Sequence, residues 1–488
     1  MSDVLRTYGG WRRRRGLGLA GLDTATTFVV LAFALVFLTT AIAAPQAALY
    51  LVPPAAVVGV FGLIRIGGQT LAVLTLARVR WWYGVLRGRN RYRAGIVVDH
   101  PRAFQLPGVL APLTLLSAED GYGGRFGVIW DRRTGLLTAT LSVIPSSTWL
   151  AEQREADAWV ATWGGWLASL GHLPMIRWVS VTVDTAPSPG AALADAVRGA
   201  MSPAAPEQAR RIMDHLVASA PAASAEVATR VSITFDPKVT EAADVTEACA
   251  EFGRTLDSLA SRLGGCGVAV TGRMTAAELA AAIRTSFDPR ARGEATRLVN
   301  RPDSAEILGW SDAGPVHAAE YTDRYEHDGA ASVTWGWQEP PRQSVHSDVL
   351  ARLVAPGPYP KRVTLLYRAL SSSTASRVLQ NEVNAAAFRA QVRRRTGRDE
   401  TAHDAWDAAR ARQAAAEEAA GAGLCLVSLY ATVTITDPGQ LPHAVGDVES
   451  AAESSKIRLR RLWGSQAAGF ATTLPCGICP PDLTRRSL

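Results

Sequence analysis

The sequence predicts an α+β chain: an N-terminal transmembrane α-helical hairpin followed by two ferredoxin-like ββαβαβα units. Three observations carry that expectation. Residues 22–77 form an apolar run broken only by Pro45-Gln46, Pro53-Pro54 and Arg65; arginines crowd both sides of that run; and beyond it β-branched runs alternate with helical patterns in an order that occurs twice.

The first apolar segment, Leu22 to Ala44, carries one charge, Asp23, at its start. A helix of that length reaches about 34 Å, enough to cross a bilayer core. Ala41-Ile42-Ala43 has the small residues of a signal-peptide cleavage site. The apolar part is too long for one, however, and a second apolar segment follows at once, so an uncleaved anchor is expected. The second helix is placed at 47–64, because extending it to Ala77 would bury Arg65 at a cost of a few kcal/mol. Pro53 and Pro54 then fall in its first turns, where a missing N–H is tolerated, and residues 66–77 would lie along the membrane surface. Arg6 and Arg12 to Arg15 precede the pair, and Arg78, Arg80, Arg87, Arg89, Arg91 and Arg93 follow it, with Trp81, Trp82 and Tyr83 at the height of an aromatic belt. Positive residues stay on the cytoplasmic side. The expected protein is thus a multi-pass inner (plasma) membrane protein with both termini in the cytoplasm.

Charge supports the same division. The formal charge of +7 over 488 residues includes +10 from residues 1–93, which leaves −3 for the rest. The basic character therefore belongs to the expected membrane surface, and nucleic acid is not an expected partner. Lysine occurs only at Lys238, Lys361 and Lys456 among many arginines and alanines, a bias of GC-rich coding as in actinobacteria. Five cysteines spread along apolar patterns suit reduced core residues.

The domains expected are 1–93, the hairpin; 94–124, a connector; 125–300 and 301–475, the two α+β units; and 476–488, a tail. In the first unit, Phe126–Trp130 and Leu136–Ile144 flank the turn signal Asp131-Arg132-Arg133-Thr134-Gly135. A helix over 152–170 follows, with Trp159, Trp163, Trp166 and Leu170 on one stripe that reads as core. A strand at 176–183, a helix at 207–218, a strand at 227–235, a helix at 246–263, a strand at 267–271 and a helix at 276–286 capped by Thr275 complete it. In the second unit, 316–322 and 331–337 flank His327-Asp328-Gly329. A short helix near 345–354, a strand at 362–367, a long helical insertion at 375–420 broken near Thr396-Gly397-Arg398-Asp399, a strand at 425–436 and a helix over 441–462 follow. Val231-Ser232-Ile233-Thr234-Phe235-Asp236-Pro237 and Val433-Thr434-Ile435-Thr436-Asp437-Pro438 each end a strand at Asp-Pro before a helix, which is the register of the expected duplication.

Signatures of chemistry are weak. No G-x-x-x-x-G-K-[ST], H-E-x-x-H, G-x-S-x-G or S-x-x-K occurs. Gly121, Gly123, Gly124 and Gly127 precede a strand instead of leading one into a helix, so they read as a turn and not as a dinucleotide fingerprint. His317, Glu320, Asp323 and His327 have metal-ligand types, but a strand and hairpin would spread them over about 30 Å. Cys476-Gly477-Ile478-Cys479 is half of a zinc or redox signature with no second half nearby, and reads as ordinary buried cysteines. No catalytic, cofactor-binding or metal-binding residue and no cofactor is expected.

Gly421 to Leu424, Val433 to Thr436, Ile457 to Ala468 and Phe470 to Pro475 resemble the end of the accessory amino-terminal domain of conjugation-type secretion ATPases, where that domain precedes the motor. With Leu488 as the last residue, the resemblance implies a motor on another polypeptide. Together with Phe126 to Asp131 and the arginine-flanked hairpin, the chain is similar to an actinobacterial two-helix membrane family associated with type IV-like (conjugative) secretion. Its layout also resembles the E component of type VII (ESX) secretion cores. The resemblance implies a non-enzymatic inner-membrane scaffold that docks secretion subunits, including a separate ATPase, and that can self-associate, with the insertion 375–420 as a contact arm. The rival reading is a membrane-anchored α/β enzyme, glycosyltransferase-like or hydrolytic, whose cleft would draw on Asp131, Asp184 and Asp236; a membrane-bound sensor is a third.

Overall fold

The structure, a computed structural model, describes residues 6–9, 11, 24–43 and 46–485 except for short stretches, the longest being 55–59, 99–104, 189–196, 220–224 and 396–401. It divides into two compact units. One comprises residues 1–11, 90–371 and 423–488; the other comprises 12–89 and 372–422.

The smaller unit holds α1 (Thr24–Ala43), the short hairpin β1 (Arg65–Ile66) and β2 (Gln69–Thr70), and α2 (Leu71–Leu86). Among the described residues no helix is long and apolar enough to cross a membrane. This overturns the expected transmembrane hairpin and the inner-membrane placement that followed from it. The apolar run is divided where backbone chemistry breaks it. Helix α1 ends at Ala43, two residues before Pro45; Arg65 to Thr70 turn back as a hairpin; and α2 spends its 16 residues on a sequence containing Arg78 and Arg80. The expected second helix, 47–64, and Arg12 to Arg15 fall largely outside the described residues.

The larger unit is built on one antiparallel sheet of 13 strands. Its elements run in order: β3 (Arg91–Arg93), β4 (Leu113–Glu119), β5 (Arg125–Asp131), β6 (Leu137–Pro145), α3 (Gln153–Leu170), β7 (Ile176–Pro187), α4 (Glu207–Ser219), β8 (Ala225–Phe235), α5 (Val245–Leu263), β9 (Val268–Arg273), α6 (Ala276–Phe287), α7 (Arg292–Val299), the single turns α8 (Ser304–Ile307) and α9 (Trp310–Ala313), β10 (His317–Glu320), β11 (Tyr325–His327), β12 (Ala330–Glu339), α10 (Ala351–Val354), β13 (Lys361–Ala369), then, after the excursion into the smaller unit, β14 (Cys425–Ile435), α13 (Leu441–Ser454), β15 (Arg458–Arg461), α14 (Gln466–Thr472) and α15 (Pro480–Arg485). The excursion supplies α11 (Ser372–Arg395) and α12 (Ala402–Ala419), which pack on each other; the break expected at Thr396 to Asp399 lies outside the described residues.

The strand order is β3-β10-β11-β12-β14-β13-β7-β8-β6-β5-β4, with β15 also on β12 and β9 also on β6. The two separate ferredoxin-like units are therefore not formed. Strands β7 and β13, expected in different units, pair from Lys361↔Thr185 to Tyr367↔Val179, and the sheet runs through without a boundary. Side chains match across this pairing on both faces: Thr182 bonds Thr364 at 2.8 Å on one, and Val183 stands opposite Val363 on the other.

Local chemistry fixes the ends of these strands. In the β5–β6 turn, Asp131 accepts from the Arg133 N–H at 2.9 Å and from the Thr134 hydroxyl at 2.8 Å, and Gly135 sits at φ +82°. In the β11–β12 turn, Asp328 and Gly329 both have positive φ, the geometry of a two-residue hairpin turn. Thr275 and Glu278 form a reciprocal capping box that starts α6. The helix expected over 441–462 ends at Ser454, because Lys456 turns left-handed at φ +56° and the chain returns as β15.

Strand alternation gives the sheet two unlike faces. Leu137, Ala139, Leu141, Val179, Val231, Ile233 and Phe235 meet α3 and α5, with Trp166 and Leu170 from the tryptophan stripe. Val333, Trp335, Val363, Ala431 and Val433 meet α10 and α13. The opposite face carries hydroxyls, and α6, α14 and the residues after α14 lie against it.

Candidate functional site

The feature that joins distant parts of the larger unit is the polar face of the sheet with the segment 464–483 laid across it. Ser and Thr recur on this face of β6, β7, β8, β12, β13 and β14, and five cross-strand pairs join them. The pairs are Thr138 with Thr234 at 3.0 Å, Thr140 with Ser232 at 2.8 Å, Thr182 with Thr364 at 2.8 Å, Ser332 with Thr434 at 2.8 Å, and Thr334 with Thr432 at 2.9 Å. All are buried, so each hydroxyl must find a partner in the protein. Pairing supplies it.

Segment 464–483 completes the set. The Gln466 side chain, fully buried, accepts from the Thr334 N–H at 2.7 Å and donates to the Thr334 and Leu462 carbonyls. Thr473 donates to Thr432 at 3.1 Å and stands 3.3 Å from Arg362 Nε, which donates to it. Gly477, at φ +65°, lies over the Thr138–Thr234 pair so closely that a Cβ would stand 2.0 Å from Thr138 Oγ1. Cys479 packs with Leu136, Trp178 and Leu366, and Asp482 pairs with Arg368 at 2.9 Å. The segment thus touches strands on both sides of the β7–β13 seam.

At the seam lies a buried ionic cluster. Asp184 on β7 accepts from Arg230 on β8 at 3.0 Å and from Arg292 on α7 at 3.2 Å, and Arg292 also reaches Glu226 at 3.3 Å. Arg362 on β13 is directly opposite Asp184 in the ladder, with its guanidinium 4.8 Å from the centre of the Phe470 ring. Burial opposes ionisation of Asp184, but Arg292, Arg230 and Arg362 overcome it and bring the carboxyl down to about 2. Burial pulls Arg362 the other way, down to about 10, with Asp184 resisting and the two other arginines adding to the fall. Arg362 Nη2 and Arg292 Nε have no hydrogen-bond partner among the described residues. An aspartate held ionised by three guanidiniums is a lock and a poor general base.

The residues singled out from the sequence are dispersed. Asp184 is in the lock. Asp236 lies at the other end of the β7–β8 ladder, about 26 Å away at 3.3 Å per residue; it accepts from the Lys238 N–H at 3.1 Å and pairs with Arg177 at 2.9 Å. Asp131 holds its own turn. The three carboxylates of the enzyme reading are not brought together. His317 is exposed, and Asp323 pairs with Arg324 and Arg461. Glu320, raised by burial, accepts from the Ala467 N–H at 3.0 Å. His327 is buried among Phe287, Tyr325 and Phe470; its Nδ1–H donates to the Phe287 carbonyl and its Nε2 accepts from Ser332 at 2.8 Å. Burial lowers it to about 3, which keeps the ring neutral, and the Phe287 carbonyl, which can only accept, fixes this tautomer. Cys476 and Cys479 are buried free thiols, and burial pushes Cys476 up. Among the described residues no group of three or more His, Cys, Asp and Glu side chains is placed to hold a metal ion.

No protein-family model and no curated protein matches the chain. Of the lock, the sequence singled out Asp184 alone, as a cleft candidate, and not Arg230, Arg292 or Arg362. The polar face has a visible trace in the Ser/Thr alternation at 138/140, 232/234, 332/334 and 432/434.

Proposed function

We propose that the chain is a non-enzymatic docking subunit of a type IV-like or type VII-like secretion or conjugation apparatus, working with an ATPase carried on a separate polypeptide. The observation that carries this reading is the position of the stretch resembling the accessory domain of conjugation ATPases. Residues 457–475 are the very ones that close the polar face, through Gln466, Thr473 and Phe470. A resemblance located in the element that holds the sheet together concerns the whole body and not an appendage. The groups that would serve catalysis are already engaged: Asp131 and Asp236 in turns, Asp184 in the arginine lock. Exposed apolar side chains on α4, at Ile212, Met213 and Leu216, offer contact surface of the kind a docking protein uses.

The test is co-expression of the full chain with a secretion ATPase that lacks an accessory domain. Co-elution at fixed stoichiometry is the expected result. Elution of the two proteins apart, or turnover of a substrate by the purified chain alone, would overturn the proposal.

A further inference from the structure

We infer that the outer edge of β4 and the groove beside it bind a single extended segment of another protein, added to the sheet as a further strand. The inference deepens the docking reading, and rests on it only in that the occupant is a protein.

Strand β4 ends the strand order and pairs with β5 alone. Which of its backbone groups face outward follows from its neighbours. The Gly127 N–H on β5 donates to the Met274 carbonyl at 2.8 Å, away from β4, so Ser117, opposite Gly127, is a non-hydrogen-bonded position of the β4–β5 ladder. The Arg132 N–H donates to the Pro112 carbonyl, which sets the same phase at the other end. Leu113, Leu115, Ser117 and Glu119 therefore direct their N–H and C=O groups outward. Trp310 Nε1 donates to the Leu113 carbonyl at 3.2 Å and plugs the first of them. No described backbone group pairs with the edge from Leu115 to Glu119. Open edges of this kind are a template for a partner strand.

The neighbouring groove decides what sort of strand. It has a volume of about 960 Å³, a floor of Leu116, Ala118 and Trp130, and a wall formed by Val245, Cys249 and Ala250 of α5. Because α5 already stands over this face, an incoming strand finds its apolar side chains covered without bringing a layer of its own. That favours a bare extended segment over a second copy of the chain, which would bring a second α5. The charged groups at the groove are Glu119 and Arg254. Glu119 is paired with Arg125 at 3.3 Å, whereas Arg254 is exposed and has no carboxylate in ion-pair reach among the described residues. The fitting segment alternates β-branched apolar residues with polar ones and carries a carboxylate opposite Arg254.

The experiment pans a random twelve-residue peptide library against the full chain and measures the enriched peptides by fluorescence anisotropy. Alternating apolar peptides with an acidic residue are expected. Ser117→Pro, which removes an outward N–H at an edge position where proline is tolerated, should weaken their binding about tenfold, as should Ala250→Trp, which fills the groove from an exposed helix position. Arg254→Glu should turn the preference toward basic peptides. If Ser117→Pro fails to fold, Ala250→Trp and Arg254→Glu decide alone. No enrichment over an unrelated protein, or enriched peptides indifferent to the variants, overturns the inference. So does a dimer of the unvaried chain in light scattering that Ala250→Trp dissociates, which would give the edge to a second copy. Peptide binding without an ATPase complex would leave the groove standing and defeat only the secretion reading.

Discussion

Replacing Asp184 by asparagine tests the seam lock, because the lock is unequal in its members. The carboxylate is the common acceptor of Arg230 and Arg292, and it directly opposes Arg362 in the ladder. Asp184→Asn leaves three guanidiniums with Glu226 alone to balance them. Breaking a buried pair from the acidic side costs about 3–5 kcal/mol, a large share of an ordinary stability of roughly 5–15 kcal/mol. Arg362→Met removes a cation from a cluster that has one to spare. It loses the bond to Thr473, about 1 kcal/mol, and the contact over Phe470, about 1–2 kcal/mol. It regains the cost of holding a guanidinium whose pKa burial has pulled down to about 10, on the order of 3 kcal/mol at about 1.36 kcal/mol per pKa unit. The net change is about 1 kcal/mol or less in either direction. Urea unfolding followed by tryptophan fluorescence reads both variants as shifts of midpoint at constant slope. Equal losses from the two substitutions, or a loss under about 1 kcal/mol for Asp184→Asn, would refute the assignment of Asp184 as the keystone. The pH dependence has a definite sign. The folded carboxyl lies near 2 and the free one near 3.8, so its contribution is complete above about pH 4 and is lost as pH falls toward 2.

Three further outcomes follow from the same face. His327 is held neutral down to about 3 while its free form protonates near 6.5, so the unfolded chain binds a proton the folded one refuses; stability therefore rises with pH between 3 and 6.5. His327→Gln should flatten that slope in urea midpoints taken at pH 4.5 and 7.5, and an unchanged slope would count against it. Gln466→Leu strands the buried Thr334 N–H and should cost about 1–3 kcal/mol, seen as faster cleavage by trypsin within 458–485 before global unfolding. Gly477→Ala drives a Cβ onto Thr138 and Thr234 from a left-handed φ, and should lower Tm by several degrees, consistent with a loss of about 1–3 kcal/mol; an unchanged Tm would mean that the segment does not seat on the sheet.

Turn chemistry was readable from the sequence because it is local. Asp131 to Gly135 and Asp328-Gly329 carry their conformation in their own residue types, and Thr275 with Glu278 announces a helix start by spacing alone. What depends on partners distant in sequence was not readable. Leu113, Leu115 and Leu116 stand on both faces of β4, so the strand shows no period and reads as a connector. The helix expected to Leu462 has neither Gly nor Pro where it stops; Lys456 ends it by turning left-handed, which that residue type does not signal. The apolar run 22–77 has the length and composition of two spans, and among the described residues it holds α1, Thr24–Ala43, and the hairpin of Arg65–Ile66 with Gln69–Thr70, where charge and backbone override average hydropathy.

The polar face explains why segment 464–483 must lie where it does. A sheet with hydroxyls on one side cannot bury that side against leucine without stranding donors, and cannot leave it wet without losing the cores beneath its far face. Cross-strand pairing satisfies most hydroxyls, but the Thr334 N–H and the Arg362 Nε–H need acceptors from elsewhere, and the Thr432 oxygen takes a further donor. Gln466 and Thr473 provide them within eight residues, and Gly477 then allows the backbone to pass over Thr138 and Thr234 on the far side of the seam. Because these contacts fall on both sides of the β7–β13 junction, the segment couples the two groups of strands. Anything that lifts Gln466 should also lift Gly477 from Thr138 and Thr234 across the junction. Hydrogen exchange in Gln466→Leu would show this as joint deprotection of Thr334 on β12 and Thr234 on β8, which lie on opposite sides of the junction, whereas loss at Thr334 alone would mean that the segment holds each side independently.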